Sequence, residues 1–163
     1  LMTYDYYTSG DSAGHHSNLY PPEDYEIDAS AHKTFQIFRE AGVPAEKLVM
    51  GVPFYGRSWI MRSPEKRGIN MPVEGRARGG GYTFIRDSLM NKKGFTRYWD
   101  EKAMAPYLFN GETHQLVVYD DEESVRLKCE YVVQNGMAGM MFWQYASDPK
   151  EYLLDAMNEH LHR

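Results

Sequence analysis

Cysteine occurs once in the 163 residues, as Cys129. A single thiol excludes an internal disulfide framework and a zinc site built from cysteines. No stretch of 18 apolar residues is present, so nothing reads as a membrane-spanning helix and no membrane partner is expected. No H-E-x-x-H helix occurs. The tract Gly79-Gly80-Gly81 is followed by Tyr82 rather than by Lys and a hydroxyl residue, so it is read as a turn, not a phosphate loop. His15 and His16 are adjacent, and adjacent side chains seldom converge on one ion. They read as part of a groove-edge loop, and neither a metal nor a cofactor is expected. The net charge of −5 argues against nucleic acid as a partner. No secretory leader is visible. The chain opens on Leu1-Met2-Thr3-Tyr4-Asp5-Tyr6-Tyr7, which reads as a strand already under way.

What is present is an ordinary globular composition with an excess of rings. Tyrosine occurs 13 times, and an aromatic face with a polar tip suits both cores and sugars. Charge is unevenly spread. Between Arg57 and Lys102 there are 11 basic and 5 acidic residues, against 7 and 18 elsewhere. Such a block reads as an inserted surface element.

Periodicity supplies the elements. A helix is expected over 29–41, capped by Asp28 or Ser30, with Ala31, Phe35, Phe38 and Ala41 on one face. Residues 47–54 are nearly all apolar, as in a parallel strand buried on both sides. The pattern breaks over 58–118, which reads as an α+β insertion with a helical piece near 84–90 and a strand at 116–119. A helix then runs from 120 to about 135, with Asp120 and Glu123 as a capping box and Val125, Cys129, Val132 and Val133 inward. The acidic run from Asp120 to Glu123 reads as a solvated helix start. Ala138–Tyr145 is a second buried strand. A last helix has Asp148 as N-cap, Pro149 at its first position and Leu154, Met157 and Leu161 inward. Three strand-to-helix units imply a parallel sheet, too few strands to close a barrel on their own.

Five segments carry a family resemblance: Met2-Thr3-Tyr4-Asp5; Gly51-Val52-Pro53-Phe54-Tyr55-Gly56-Arg57; Tyr98-Trp99-Asp100 with Ala105-Pro106-Tyr107-Leu108; Tyr119-Asp120-Asp121-Glu122-Glu123-Ser124; and Gly139-Met140-Met141-Phe142-Trp143. In this order they resemble the carboxy-terminal part of family 18 glycoside hydrolases, the chitinases. The resemblance implies an α/β fold, a partial (β/α)8 TIM barrel of strands six to eight over 1–57 and 119–163. It implies that 58–118 is the family's α+β insertion domain. The implied ligands are chitin or N-acetylglucosamine oligomers, and the implied parent is a secreted or cell-envelope protein.

The resemblance also implies roles. In a substrate-assisted mechanism the sugar's acetamido oxygen attacks the anomeric carbon while a protonated Glu serves the leaving oxygen. Tyr4 would hold the acetamido group and Asp5 would accept hydrogen bonds beside it. Trp143 would floor the sugar, Arg57 would bond its hydroxyls, and Tyr55 and Met2 would line the groove. Each has a plainer reading: Tyr4 and Trp143 as core, Asp5 as a strand-end cap, Arg57 in a structural ion pair. Trp59 and Trp99 fit either groove wall or insertion core. The family's D-x-x-D-x-D-x-E signature is absent. The expectation is therefore a chain that supplies sugar-binding residues to a site whose proton donor lies outside it, completed by the missing barrel half or associating with itself through open sheet edges. A chitin-binding lectin on the same barrel is the alternative.

Overall fold

Two strands form the parallel element on which the rest is arranged. In the computed structural model, which describes residues 1–8, 10–22 and 27–161, β2 (Val49–Pro53) pairs in parallel with β8 (Gly139–Trp143). Gly51 sits opposite Met141, and Pro53 opposite Trp143. Met50 and Val52 are fully buried on one face, against the helices. The expected first strand is not one. Residues 1–7 run beside β2, where the Leu1 amine donates to the Val49 carbonyl at 2.6 Å and Thr3 Oγ1 to the Gly51 carbonyl at 2.6 Å. They form no ladder, because a side-chain hydroxyl takes a carbonyl that a strand partner's N–H would have used. Part of the long loop expected over 8–27 lies outside the described residues, at 9 and 23–26.

From Pro53 the chain passes through Phe54 straight into a six-stranded antiparallel sheet of order β1-β4-β3-β7-β6-β5. Its strands are β1 (Ser12–Ala13), β3 (Tyr55–Met61), β4 (Met71–Gly81), β5 (Phe95–Asp100), β6 (Ala105–Asn110) and β7 (Gln115–Val118). The sheet thus begins at Tyr55, and it recruits Ser12–Ala13 from the opening loop. Gly79 to Gly81 do not form a turn. They end β4, with Gly80 and Gly81 opposite Gly56 and Tyr55 and a register shift beside them. A Cβ on Gly79 would overlap the Gly56 carbonyl, so only glycine allows the two backbones to meet there. The helical piece near 84–90 is observed as α2 (Tyr82–Phe84), continuing as a π turn over Ile85–Leu89.

The helices follow the hydrophobic pattern but differ at their ends. α1 (Ala31–Glu40) is capped by Ser30, whose hydroxyl accepts from the Lys33 amide. Ala31 and Phe35 are buried, whereas Phe38 and Ala41 are exposed. α3 (Glu122–Gln134) is capped by Asp121 in a reciprocal box with Ser124, not by Asp120 with Glu123. The acidic start is solvated only in its second half: Asp120 and Asp121 are buried, at 1% and 3% exposure, whereas Glu123 is exposed. Val125, Cys129 and Val132 are buried, and Val133 is exposed. α4 (Tyr152–Leu161) starts later than expected. Asp148 to Glu151 form a turn in which Asp148 Oδ2 accepts from the Leu153 amide, so Pro149 precedes the helix. Leu153, Ala156 and Met157 face inward, with Leu154 and Leu161 half-buried.

Three cores result. One joins Val52, Leu108 and Val117 to Val125, Cys129, Leu153 and Met157, so the helices cover one side of both sheets. Each fully buried side chain of this kind contributes about 1.5–3 kcal/mol. A second sets Trp59, Leu116, Val118, Tyr107 and Phe109 against Tyr7 and Ala13. The third packs α1 on Met50, Tyr131 and Val132. Lys128 lies amid the apolar face of α3 and is fully buried. Its ammonium reaches Asp120 Oδ1 and Oδ2 at 2.6 and 2.7 Å and the Ser17 carbonyl at 2.5 Å.

Candidate functional site

The face of the β2–β8 pair that carries Gly51 brings Tyr4 and Met141 together. Gly51 has no side chain there. A Cβ built on it would lie 2.9 Å from the Tyr4 ring and 3.1 Å from Met141 Sδ, so Tyr4 and Met141 lie over it together. Trp143 is two residues beyond Met141 and therefore on the same face. It is 55% exposed at the carboxy end of β8, and the Trp143–Gln144 peptide is cis. Period two therefore gives Trp143 to the face over which Tyr4 lies.

Asp5 sits beside Tyr4 and is gripped from two sides. Arg57 Nε donates to Oδ1 at 2.9 Å and Nη2 approaches Oδ2 at 2.8 Å, a bidentate pair with both partners about a third exposed. His16 Nδ1 lies 3.3 Å from Oδ1. The Tyr55 hydroxyl acts on the same carboxylate, and its ring meets Tyr4 edge-on at 6.4 Å. Arg57 belongs to β3 and not to the end of β2, because the antiparallel sheet begins at Tyr55.

The electrostatics follow from this grip. Partial burial works against the Asp5 charge, but hydrogen bonds from His16, Arg57 and Tyr55 outweigh it and hold the carboxyl well below the usual carboxylate range. Burial, then the Asp5 carboxylate, pushes the Tyr55 hydroxyl up, and the same two causes raise Tyr4. At neutral pH the cluster presents an ionised acceptor, two neutral tyrosine hydroxyls and a guanidinium. Asp5 has no proton to give, so it is an acceptor and not a general acid.

Met2 is the outlier among the expected residues. It is 75% exposed and not packed into the cluster, although it is only two residues from Tyr4. Trp59 is 3% exposed in the second core. Trp99 donates to Glu101 at 3.2 Å on the insertion strand β5. A small cavity of about 100 Å³ opens beside Arg57, lined by Thr8, Gly56, Trp59, Arg76 and Gly79 among others.

His15 and His16 are buried, not on a groove edge. His15 Nε2 lies 3.2 Å from Asp100 Oδ2. Against the effect of burial, His15 and two backbone amides hold Asp100 down to about 2. Among the described residues no group of three His, Cys, Asp or Glu is arranged to hold a metal ion. The buried Ser17–Asp120–Lys128 set was not anticipated. A lysine at 128, between Val125 and Cys129, was the available signal.

A fixed carboxylate–guanidinium pair, flanked by tyrosine hydroxyls and an exposed indole at strand ends, is a surface suited to polyhydroxylated ligands. The model of "Glycosyl hydrolases family 18" matches residues 1–148, and the chain belongs to that family. Chitinase A1 of Niallia circulans is 34% identical over 99% of this chain and 25% of its own length. Chitotriosidase-1 of Mus musculus is 33% identical over 88% of this chain and 32% of its own. Among solved structures, a family 18 N-acetylglucosaminidase from Paenibacillus barengoltzii superposes with a TM-score of 0.93 at 40% identity, over 99% of this chain and 48% of that one. A class V chitinase variant from Nicotiana tobaccum, solved in complex with NAG4, gives a TM-score of 0.89 at 27% identity, over 100% and 48%. The chain therefore spans a quarter to a half of these relatives.

Proposed function

We propose that this chain is the carboxy-terminal part of a chitin-hydrolysing glycosidase and supplies the wall and floor of its sugar site. The β2–β8 pair with the extended residues 1–5 is its share of a (β/α)8 barrel, and the antiparallel sheet is the inserted subdomain. Tyr4 orients the acetamido group of the reacting N-acetylglucosamine, Asp5 accepts hydrogen bonds next to it, and Arg57 donates to sugar hydroxyls. Trp143 offers its indole face to the slightly positive C–H groups of the pyranose. Met2 and Tyr55 line the approach. The attacking oxygen belongs to the substrate, and the leaving oxygen needs a protonated carboxyl. Asp5 is fully ionised and the D-x-x-D-x-D-x-E signature is absent, so the proton comes from a residue outside this chain.

One observation supports this reading: Asp5 and Arg57, from separate segments, form a bidentate pair beside Tyr4, which lies over the face of the β2–β8 pair that period two gives to Trp143. The relatives reported are named chitinases and an N-acetylglucosaminidase, which favours hydrolysis over the lectin alternative. The test is titration of the chain with an N-acetylglucosamine tetramer, followed by amide chemical shifts and by product analysis. Shifts confined to the neighbourhoods of Tyr4, Arg57 and Trp143, with no release of shorter sugars, are expected. Release of free N-acetylglucosamine by the chain alone, or shifts elsewhere, would refute the assignment.

A further inference from the structure

His16 lies buried behind the Asp5 cluster. It is 1% exposed, with its ring 5.6 Å from that of Tyr55. Two ties join it to the segment that carries Asp5. The Tyr6 amide donates to the His16 carbonyl at 3.1 Å, and the imidazole Nδ1 approaches Asp5 Oδ1 at 3.3 Å. The next residue is anchored in turn: Ser17 Oγ donates to Asp120 at 2.7 Å, and Lys128 donates to the Ser17 carbonyl. The buried ion pair of α3 thus backs the loop that bears the imidazole.

Asp5 needs such support. Its φ is +62°, in the left-handed region that side-chain residues occupy sparsely and that Asp enters chiefly where its carboxylate is hydrogen-bonded locally. Arg57 grips both carboxylate oxygens, but on a long side chain that is about a third exposed and gives up rotamer freedom to do so. His16 is short, buried and reaches Asp5 from another segment.

The geometry also selects the tautomer. His16 Nε2 is buried and makes no hydrogen bond. A proton there would leave a buried donor unpaired and set the Nδ1 lone pair against a carboxylate. A proton on Nδ1 is shared with Asp5 and leaves only a lone pair unused. Burial disfavours the imidazolium and lowers the pKa, though Asp5 and Asp120 oppose this. Resting on the reading of Asp5 as a sugar acceptor, we infer that His16 is a positioning residue, whose neutral Nδ1–H form clamps Asp5 in its ligand-receiving orientation.

The test uses this chain with His16→Leu, which keeps bulk and removes the donor, and His16→Asn, whose amide falls near the Nδ1 position. Imidazole ¹⁵N shifts should place the proton on Nδ1 in the unsubstituted chain. In His16→Leu the Asp5 carboxyl, followed by ¹³C shift, should titrate about one pH unit higher. Tetramer binding should weaken about tenfold, the loss of one hydrogen bond to a charged group. His16→Asn should restore both. A proton on Nε2, or an unchanged Asp5 titration in His16→Leu, overturns the inference. Should His16→Leu fail to fold, an Asp5 that titrates in the ordinary range in His16→Asn overturns it instead. A tetramer that fails to bind the unsubstituted chain counts against the sugar reading, and the Asp5 titrations then judge the clamp alone.

Discussion

At the scale of single residues, burial and partnership set the acid response. His16 has a lowered pKa in the folded chain, chiefly from burial. Between its folded and unfolded values the unfolded state binds more protons, so stability falls as pH drops below about 6.5. The urea midpoint should decline over that interval, and His16→Asn should flatten the decline. Asp100 is shifted down to about 2. Its contribution is complete above about pH 4 and is lost as pH falls toward the folded value. An acid titration followed by circular dichroism should show this second loss, and substituting His15 should move it to higher pH. Trp143 behaves differently. At 55% exposure, Trp143→Ala should cost under about 1 kcal/mol of stability, while tetramer affinity falls about tenfold or more. An equal loss of stability and binding would assign it to the core.

At the scale of elements, α3 is held by an ion pair where its pattern promises an apolar contact. Removing one partner of a buried pair leaves the other charge uncompensated, at about 3–5 kcal/mol. Lys128→Met should show a cost of that order in urea unfolding. Adding Asp120→Asn should recover part of it, and strictly additive losses would mean that the two are not coupled. The capping of α3 shows how a local signal can be misassigned. Asp120 and Asp121 both suit an N-cap, but Lys128, Ser17 and Ser124 engage the Asp120 carboxylate and leave the duty to Asp121. The late start of α4 has a similar cause: the Asp148 carboxylate accepts from the Leu153 amide and so closes a turn before the helix.

At the scale of the whole molecule, β8 pairs with β2 on one side only, and among the described residues its other edge has no ladder partner. Beside it lies an apolar groove of about 490 Å³ lined by Met140, Phe142, Leu154, Met157 and Leu161. An open edge next to an apolar groove is a template for pairing. Concentration-dependent self-association should appear in light scattering, and Met141→Lys should suppress it. A strict monomer at high concentration would show that the edge is protected.

The sequence alone was enough for the near-continuous apolar runs of β2 and β8 and the amphipathic stretches of α1 and α3, because period is a local property, and its short motifs singled out Asp5 and Arg57, which the fold pairs. The extended course of residues 1–7 was not legible, since a strand requires a partner's backbone and Thr3 spends its hydroxyl on that backbone instead. Nor were the burial of His16, the pairing of Lys128 with Asp120, or the start of the antiparallel sheet at Tyr55. Each depends on groups brought together from distant parts of the chain, as when Lys128 reaches the carbonyl of Ser17. A charge enters a core only where such a partner waits, and that is decided by tertiary packing.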